Sequence, residues 1–406
     1  MDISEKLKYY KTDLNANQSE ATANYSEMAK KLGGEFLDLE NPDVVKIKLF
    51  LNYDWFISYE YLCAEKNIQL SMLTKNQFQE AINTEKILIL DLETTGLMGG
   101  AGTYPFLIGF GLLRSTGIEV IQYFLPDYGR EHFAYNDLKK NFADKNILLS
   151  YNGKSYDLPL LRNRFILNRI DDSFENFRHL DLLHIVRRLW KNEFTNCSLE
   201  NVEKELFKFS RWRDIEGALI PSAYFKYLST GDLSEIKRII QHNQQDIISL
   251  AALLFYLHQI ENHNENLRLN QSLLENLCNL SINNADIRQS EKLFQTINAE
   301  YTSASDKTQV NLSILYKRKG HWQKAIDIWE DLLNKHNEIL FAAEELAKFY
   351  EHHEGNPHSA LLYAKRAKSY IEILKEIDTN DHLLIYEQNI LHRIERLKTK
   401  IDNINF

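Results

Sequence analysis

From residue 86 the apolar positions fall into short runs separated by turn residues. KILILD (86–91) reads as a buried strand ending in an acid. YPFLIGFGLL (104–113) and IEVIQYFLP (118–126) read as the strands that follow. Turns are expected at Arg114 to Gly117 and at Pro126 to Gly129. The pattern then predicts a helix over 130–143, a strand over NILLSYNG (146–153), and helices over about 157–167, 181–191, 199–208 and 235–258. Strands first, with one helix interposed, then helices: this order predicts an α/β domain, a mixed sheet flanked by helices. Upstream, Val44, Val45, Ile47 and Leu49 form a strand-like run, with a helix to follow before residue 80. Gly33 to Phe36 reads as a turn. Residues 1–30 are polar without a clear apolar period, a helix or a partly ordered arm.

From about residue 265 the pattern is helical throughout. Gly320, Trp322 and Ala325 return 35 residues later as Gly355, Pro357 and Ala360, and Tyr316 and Tyr350 nearly match. Small residues at Ala325, Ala360, Ala364 and Ala367 permit close helix crossing. This resembles tetratricopeptide repeats, with residues 382–400 as the cap. Three regions result: an N-terminal helical or mixed extension (1–84), the α/β domain (85–262) and an all-helical tetratricopeptide-like domain (263–406). Stacked helical repeats create concave surfaces, so a protein partner is expected there.

Composition narrows the class. The chain has 48 basic and 57 acidic residues, a net charge of -9, which argues against nonspecific coating of nucleic acid but allows a local basic groove. Three widely spaced cysteines, at 63, 197 and 278, suggest neither a disulfide framework nor a thiolate metal cluster. The N-terminus has no signal-peptide core and no run is long enough to span a membrane, so a cytoplasmic protein is expected.

The chemistry lies in four acids. Asp91 and Glu93 in DLETTG are i, i+2 at a strand end, so their carboxylates point the same way. Like charges so placed are tolerable when a cation sits between them. Asp157 in YNGKSYDLPLLRNRF opens a helix, where alone it would read as a cap. Asp246 in HNQQD lies on an apolar-flanked helix, one turn after His242. Four hard oxygen donors suit two ions of Mg²⁺ or Mn²⁺, which can activate a water at a phosphodiester. Residues 151–191 hold eight basic and five acidic residues, a candidate guide for a nucleic-acid backbone. Within it Lys154, Arg162 and Arg164 are candidate phosphate contacts and Tyr151 and Tyr156 candidate base stackers, with Thr94 and Asn152 beside the acids. Asp181 reads as a helix cap, Asp214 and Glu216 as part of a covering loop, and Trp190 and Trp212 as core.

Taken in order, these motifs resemble the DEDD exonuclease superfamily over about residues 85–260. DLETTG is similar to the first exonuclease motif, and HNQQD to the third. Asn152 to Asp157 is similar to the second motif as found in proofreading domains of family B DNA polymerases. The nearest group is the bacterial YprB-like, ribonuclease H-like predicted exonucleases. The resemblance implies a ribonuclease H-like fold and 3'-to-5' hydrolysis of single-stranded DNA or RNA by two metal ions. It implies that Asp91 bridges both ions, Glu93 and Asp246 help hold one, Asp157 helps hold the other, and His242 orients or deprotonates the water. One branch of the superfamily carries His five residues before the last Asp, the other Tyr four before it. His242 stands four before Asp246, the tyrosine position with the histidine chemistry. A structure-selective endonuclease on the same fold and a non-catalytic interaction scaffold are the alternatives.

Overall fold

The computed structural model describes residues 26–37, 44–55, 65–96, 103–129, 131–142, 144–172, 174–262, 267, 269–377 and 381–404. The chain divides into two compact units, Met1–Arg268 and Leu269–Phe406. Most of the N-terminal arm, residues 1–25, lies outside the described residues.

The first unit is built on a mixed seven-stranded sheet, β1 (Gly34–Phe36), β2 (Val45–Asn52), β5 (Ile87–Thr94), β6 (Pro105–Leu113), β7 (Gly117–Phe124), β8 (Ile147–Ser150) and β9 (Arg178–Asp181), in the order β1-β2-β7-β6-β5-β8-β9. β6 pairs antiparallel with β5, and β8 pairs parallel with β5 on its other side. Both neighbours leave β5 central, which is why Ile87 to Leu90 are wholly buried. β1 and β2 continue the same sheet by pairing β2 with β7 from Val45↔Phe124 to Asn52↔Gly117. So the segment before residue 84 contributes strands to the sheet, through pairings too distant in sequence for a local pattern to show. Gly33 does turn, at φ +74°, and the residues after it enter β1. The helix expected before residue 80 falls partly on residues 56–64, outside the described residues. Residues 65–86 hold turns and a short ladder of β3 (Asn67–Ile68) with β4 (Ile82–Asn83).

A helical segment occupies the described residues 26–31, and after β7 the helices follow the sequence order: α1 (Glu131–Phe142), α2 (Asp157–Leu167), α3 (Leu182–Trp190), α4 (Leu199–Phe207), α5 (Ile220–Thr230) and α6 (Ser234–Glu261). β9 and α5 were not expected. β9 is four residues running straight into the α3 cap, too short for a period. α5 opens with Pro221 in its first turn and stops at Gly231, φ +72°, both ordinary helix punctuation. Trp190 joins the core as expected. Trp212 does not: it sits on the connection between α4 and α5 and is 81% exposed.

α6 lies directly on the sheet because β6 offers glycines there. A Cβ at Gly109 would stand 2.0 Å from Asn243 Oδ1, and one at Gly111 would stand 2.5 Å from Ile247 Cγ2. Asn243 and Ile247 are one helical turn apart, and the two glycines are i, i+2 on a strand, so the two spacings match. Farther along α6, His258 accepts from the Gln69 backbone at 2.8 Å, and Glu261 accepts from Met72 and Leu73 at 2.7 and 3.0 Å. These bonds fasten residues 65–86 to the same helix.

The second unit is helical: α7 (Gln271–Asn283), α8 (Ile287–Glu300), α9 (Asp306–Arg318), α10 (Trp322–Asn334), α11 (Ile339–His352), α12 (Pro357–Ile377) and α13 (Asp381–Ile404). Gly320 and Gly355, 35 residues apart, follow α9 and α11 with φ +77° and +67°. Ala325, Ala342, Ala343, Ala360, Ala364 and Ala367 are fully buried, as close crossing requires. Glu351 of α11 meets Arg393, Arg396 and Lys400 of α13 at 2.6, 2.8 and 2.9 Å and so ties the last helix down. No described helix is long and apolar enough to cross a membrane.

The glycine seat under α6 can be tested. Gly109→Ala should lower stability to urea or heat by about 1–3 kcal/mol, the usual cost of overpacking a tight contact. An unchanged midpoint would contradict the close docking described.

Candidate active site

Asp91 and Glu93 stand on one face of β5, toward α6. Asp91 pairs in register with Gly109. The space left by that missing side chain holds Asn243, whose Nδ2 donates to Asp91 Oδ2 at 2.6 Å and to its backbone oxygen at 3.2 Å. Asn243 Oδ1 in turn accepts from Gln122 Nε2 at 2.7 Å. With Asn243 and Ile247 seated on the glycines, the preceding residue of each turn, His242 and Asp246, lies about 100° round the helix. Both line the cleft at the strand end. The register of β5 against β6 shifts between Glu93 and Thr94, ending the regular ladder beside the cleft.

Asp157 arrives from the other side. It is the first residue of α2, while the cap position belongs to Tyr156, which makes no side-chain capping bond. The β8–α2 turn is held by Asp181, whose carboxylate accepts from the backbone of Asn152 at 2.8 Å, Lys154 at 3.1 Å and Leu183 at 3.1 Å. Asn152 adopts φ +64°, a left-handed conformation Asn tolerates. A Cβ at Gly153 would stand 2.5 Å from Ser150 Oγ and 2.9 Å from Asp157 Oδ2, so only glycine allows this approach.

A cleft of about 290 Å³ results. Its walls include Asp91, Glu93, Asp157, His242 and Asp246 together with Thr94, Asn152 and half-exposed Tyr156. Lys154, Arg162 and Arg164 are not among its walls. Arg162 pairs with Asp172 at 2.7 Å, Arg164 with buried Glu131, and the Lys154 side chain is exposed. Of the basic residues in 151–191, Arg178 and Arg188 also bond to backbone oxygens, of Gln77 and Leu73. Lys154, Arg169, Arg187 and Lys191 remain exposed.

Sequence reasoning missed the cation under the site. Arg211 is nearly buried and reaches four groups. It bonds Glu203 at 2.6 and 2.7 Å, Asp214 at 3.1 Å, and Asp246, and its Nη1 lies 3.3 Å from His242 Nδ1. His242 Nδ1 also meets Asp214 Oδ2 at 2.8 Å, which turns Nε2 toward Glu93 Oε1 at 3.9 Å and Asp246 Oδ2 at 3.6 Å. Asp214 and Asp181, read from sequence only as a loop acid and a cap, are therefore the partners that orient the site. The signal for Arg211 was its place in RWRD beside Asp214; its partners lie 8 and 35 residues away.

The electrostatics follow from this crowding. Burial, then the charge of Asp246, pushes Asp91 up to about 7. Burial, then the neighbouring carboxylates with Asp91 foremost, holds Glu93 and Asp157 well above the carboxylate range. Burial would lower His242, but the bond to Asp214 and the charge of Asp246 outweigh it and raise the imidazole. Burial would likewise raise Asp214, yet His242 and Arg211 hold it down to about 2. Carboxylates that resist ionising together, presenting hard oxygens to one space, form a donor set suited to a divalent cation. Glu93, His242 and Asp246 each offer an atom within 4.8 Å of the others, a candidate metal-binding cluster.

Comparison with known proteins agrees with this architecture. Residues 88–258 match the family described as the RNase_H superfamily. "Uncharacterized protein YprB" from Bacillus subtilis (strain 168) is 32% identical over 330 residues, covering 78% of this chain and 76% of its own. The chain belongs to the YprB family. A family B DNA polymerase from the hyperthermophilic archaeon Pyrobaculum calidifontis aligns with 50% of this chain at 16% identity and a TM-score of 0.35; the alignment spans 29% of that polymerase. This YprB-family chain thus carries a ribonuclease H-like fold with a candidate metal-binding cluster, consistent with a nuclease mechanism.

Two measurements check the electrostatics. Because Asp91 takes up a proton below about pH 7 in the metal-free site, Mn²⁺ binding should release protons and weaken as pH falls below neutral. Calorimetry in buffers of different ionisation heat would detect this, and a pH-independent affinity would contradict it. Asp214→Asn removes the group that raises His242, so the imidazole pKa followed by NMR should fall; an unmoved titration would mean Asp214 does not set it.

Proposed function

We propose that this chain is a two-metal-ion exonuclease that hydrolyses the phosphodiester at the 3' end of single-stranded DNA or RNA. The observation that carries the reading is the convergence of Asp91, Glu93, Asp157 and Asp246 with His242 on one cleft. Asp91 would hold both ions, Glu93 and Asp246 one, and Asp157 the other. Bound there, Mg²⁺ or Mn²⁺ would supply a nucleophile at neutral pH and offset charge on the leaving oxygen. The chain's own groups do the rest. Asn243 fixes one oxygen of Asp91 and leaves the other to the cleft. Asp214 holds His242 by Nδ1, so that Nε2 faces the acids and can accept a proton from the attacking water. Arg211 keeps Asp246 in place while offsetting part of its charge. Thr94, Asn152 and Tyr156 lie along the walls where a nucleotide would pass; Lys154 is exposed near them.

The same reading takes the C-terminal helices as tetratricopeptide-like repeats that bind a protein partner, and places the protein in the cytoplasm. A structure-selective endonuclease would use the same acids, and the substrate's ends distinguish the two.

With Mg²⁺ or Mn²⁺, a 5'-labelled single strand should shorten stepwise from its 3' end. Asp91→Ala and Asp157→Ala should each reduce the rate by roughly 100-fold or more. His242→Ala should also lose about 100-fold while retaining Mn²⁺ binding, since this reading gives the ions to the four carboxylates and Nε2 to the water; lost Mn²⁺ binding would make His242 a ligand instead. Undiminished activity in the two aspartate variants would sink the site assignment, and cleavage of a closed circular single strand would favour the endonuclease.

A further inference from the structure

Trp212 is the feature the catalytic reading leaves over. Large aromatic side chains are mostly buried, and Trp190 and Trp329 are 2% and 0% exposed, whereas Trp212 is 81% exposed. One exposed aromatic is unremarkable on a mobile surface loop. This one is held. Arg211 before it bonds Glu203 and Asp246, and Asp214 two residues after it bonds His242. Arg238 donates to the backbone oxygens of Arg213 at 3.3 Å and Asp214 at 2.8 Å. The backbone on both sides of Trp212 is thereby fastened to the groups that line the cleft. Consecutive Cα atoms are about 3.8 Å apart, so the indole springs from one residue beyond a side chain that touches Asp246.

Its companion gives the chemistry. The exposed Arg213 guanidinium lies over the Trp212 ring, 4.3 Å from its centre, and Arg213 takes φ +57°. The left-handed backbone turns two successive side chains to the same place, a π face and a cation together. An aromatic face stacks on any base, and a neighbouring arginine answers the phosphate. A protein partner would be expected to cover an apolar patch, while the one contact on this ring's face among the described residues is the exposed, charged Arg213. The acidic centre next to it repels a polyanion, so contacts of this kind are needed outside the cleft to hold one.

We propose that Trp212 and Arg213 form a sequence-tolerant nucleotide platform beside the acidic cleft, with Trp212 stacking on a base of the single strand and Arg213 contacting its phosphate. The proposal rests on the nuclease reading for its substrate class, but its test is binding rather than cleavage.

The full-length protein would be titrated into a fluorescein-labelled single-stranded 12-mer without divalent metal, read by anisotropy, alongside oligonucleotides with one abasic site stepped along the strand. Trp212→Ala should weaken binding about 5- to 100-fold, the range expected for one lost stack. Trp212→Phe should recover most of it, and the thermal midpoint should not move. At one strand position the abasic probe should weaken wild-type binding and leave Trp212→Ala unaffected. Arg213→Ala should reduce the salt slope by about 0.7, the share of one phosphate contact on a single strand, whereas Trp212→Ala should not change it. Wild-type-like binding by Trp212→Ala would overturn the platform and leave the nuclease reading intact. Equal losses on abasic and intact strands at every position would also overturn it, since the ring would then act on the loop and not on a base. No binding of the single strand by the wild type would overturn it too, with the 3'-shortening assay deciding the nuclease reading separately. Loss of self-association in Trp212→Ala with unchanged strand binding would reassign the ring to a protein contact.

Discussion

The structure turns on repulsion between carboxylates crowded into one partly buried cleft. Two like charges about 4 Å apart cost roughly 4 kcal/mol at the effective dielectric of such a site, and here four carboxylates share one cleft. Left to themselves, they would separate or take up protons, and Asp91 is indeed pushed up to about 7. Their backbone positions do not allow separation, because they are fixed on three packed elements: Asp91 and Glu93 on β5, Asp157 on α2 and Asp246 on α6. Arg211 offsets part of the charge of Asp246, and the other acids still face one another across the cleft.

Three local devices keep it assembled. Gly109 and Gly111 let α6 descend onto β6, which brings Asn243 to Asp91 and sets His242 and Asp246 at the strand end. Asp181 gathers the backbone N–H groups of the β8–α2 turn and so aims Asp157. Arg211 links Asp246, Glu203 and Asp214 and supplies one cation beneath the site. The three devices use different stretches of the chain, so damage to one should disturb the geometry without unfolding the others. The helical second unit is organised on its own, by buried alanines and by Glu351 holding α13.

How much of this could be read from the sequence depends on the range of the interaction concerned. Asp91 and Glu93 were legible because a strand's period of two places them on one face. His242 and Asp246 were legible because a helix's period does the same, and Asp157 because it opens a helix directly after a strand. The large core stripe of α6, through Ile248, Ala251, Leu254 and Phe255, is buried as its pattern implied. Partners distant in the chain were not legible. Arg162 and Arg164 have the charge to meet phosphate, but Asp172 and Glu131 lie where their side chains reach. Arg211 carries no local sign of its role, because its partners Glu203 and Asp246 lie 8 and 35 residues away. Asn243 carries none either, since nothing local says that a glycine on β6 leaves room for it. The pairing of β2 with β7 is hidden for the same reason, and Trp212 was assigned to the core because composition does not reveal which side of a loop faces water.

The central claim is that the repulsion is relieved by divalent cations bound at Asp91. Crystals of the full chain soaked in Mn²⁺, with data collected at the manganese absorption edge, test it most directly. Anomalous peaks are expected about 2.0–2.2 Å from carboxylate oxygens, with Asp91 touching each and Asp157 and Asp246 on opposite sides. An empty cleft at millimolar Mn²⁺, or ions bound only away from Asp91, would contradict it.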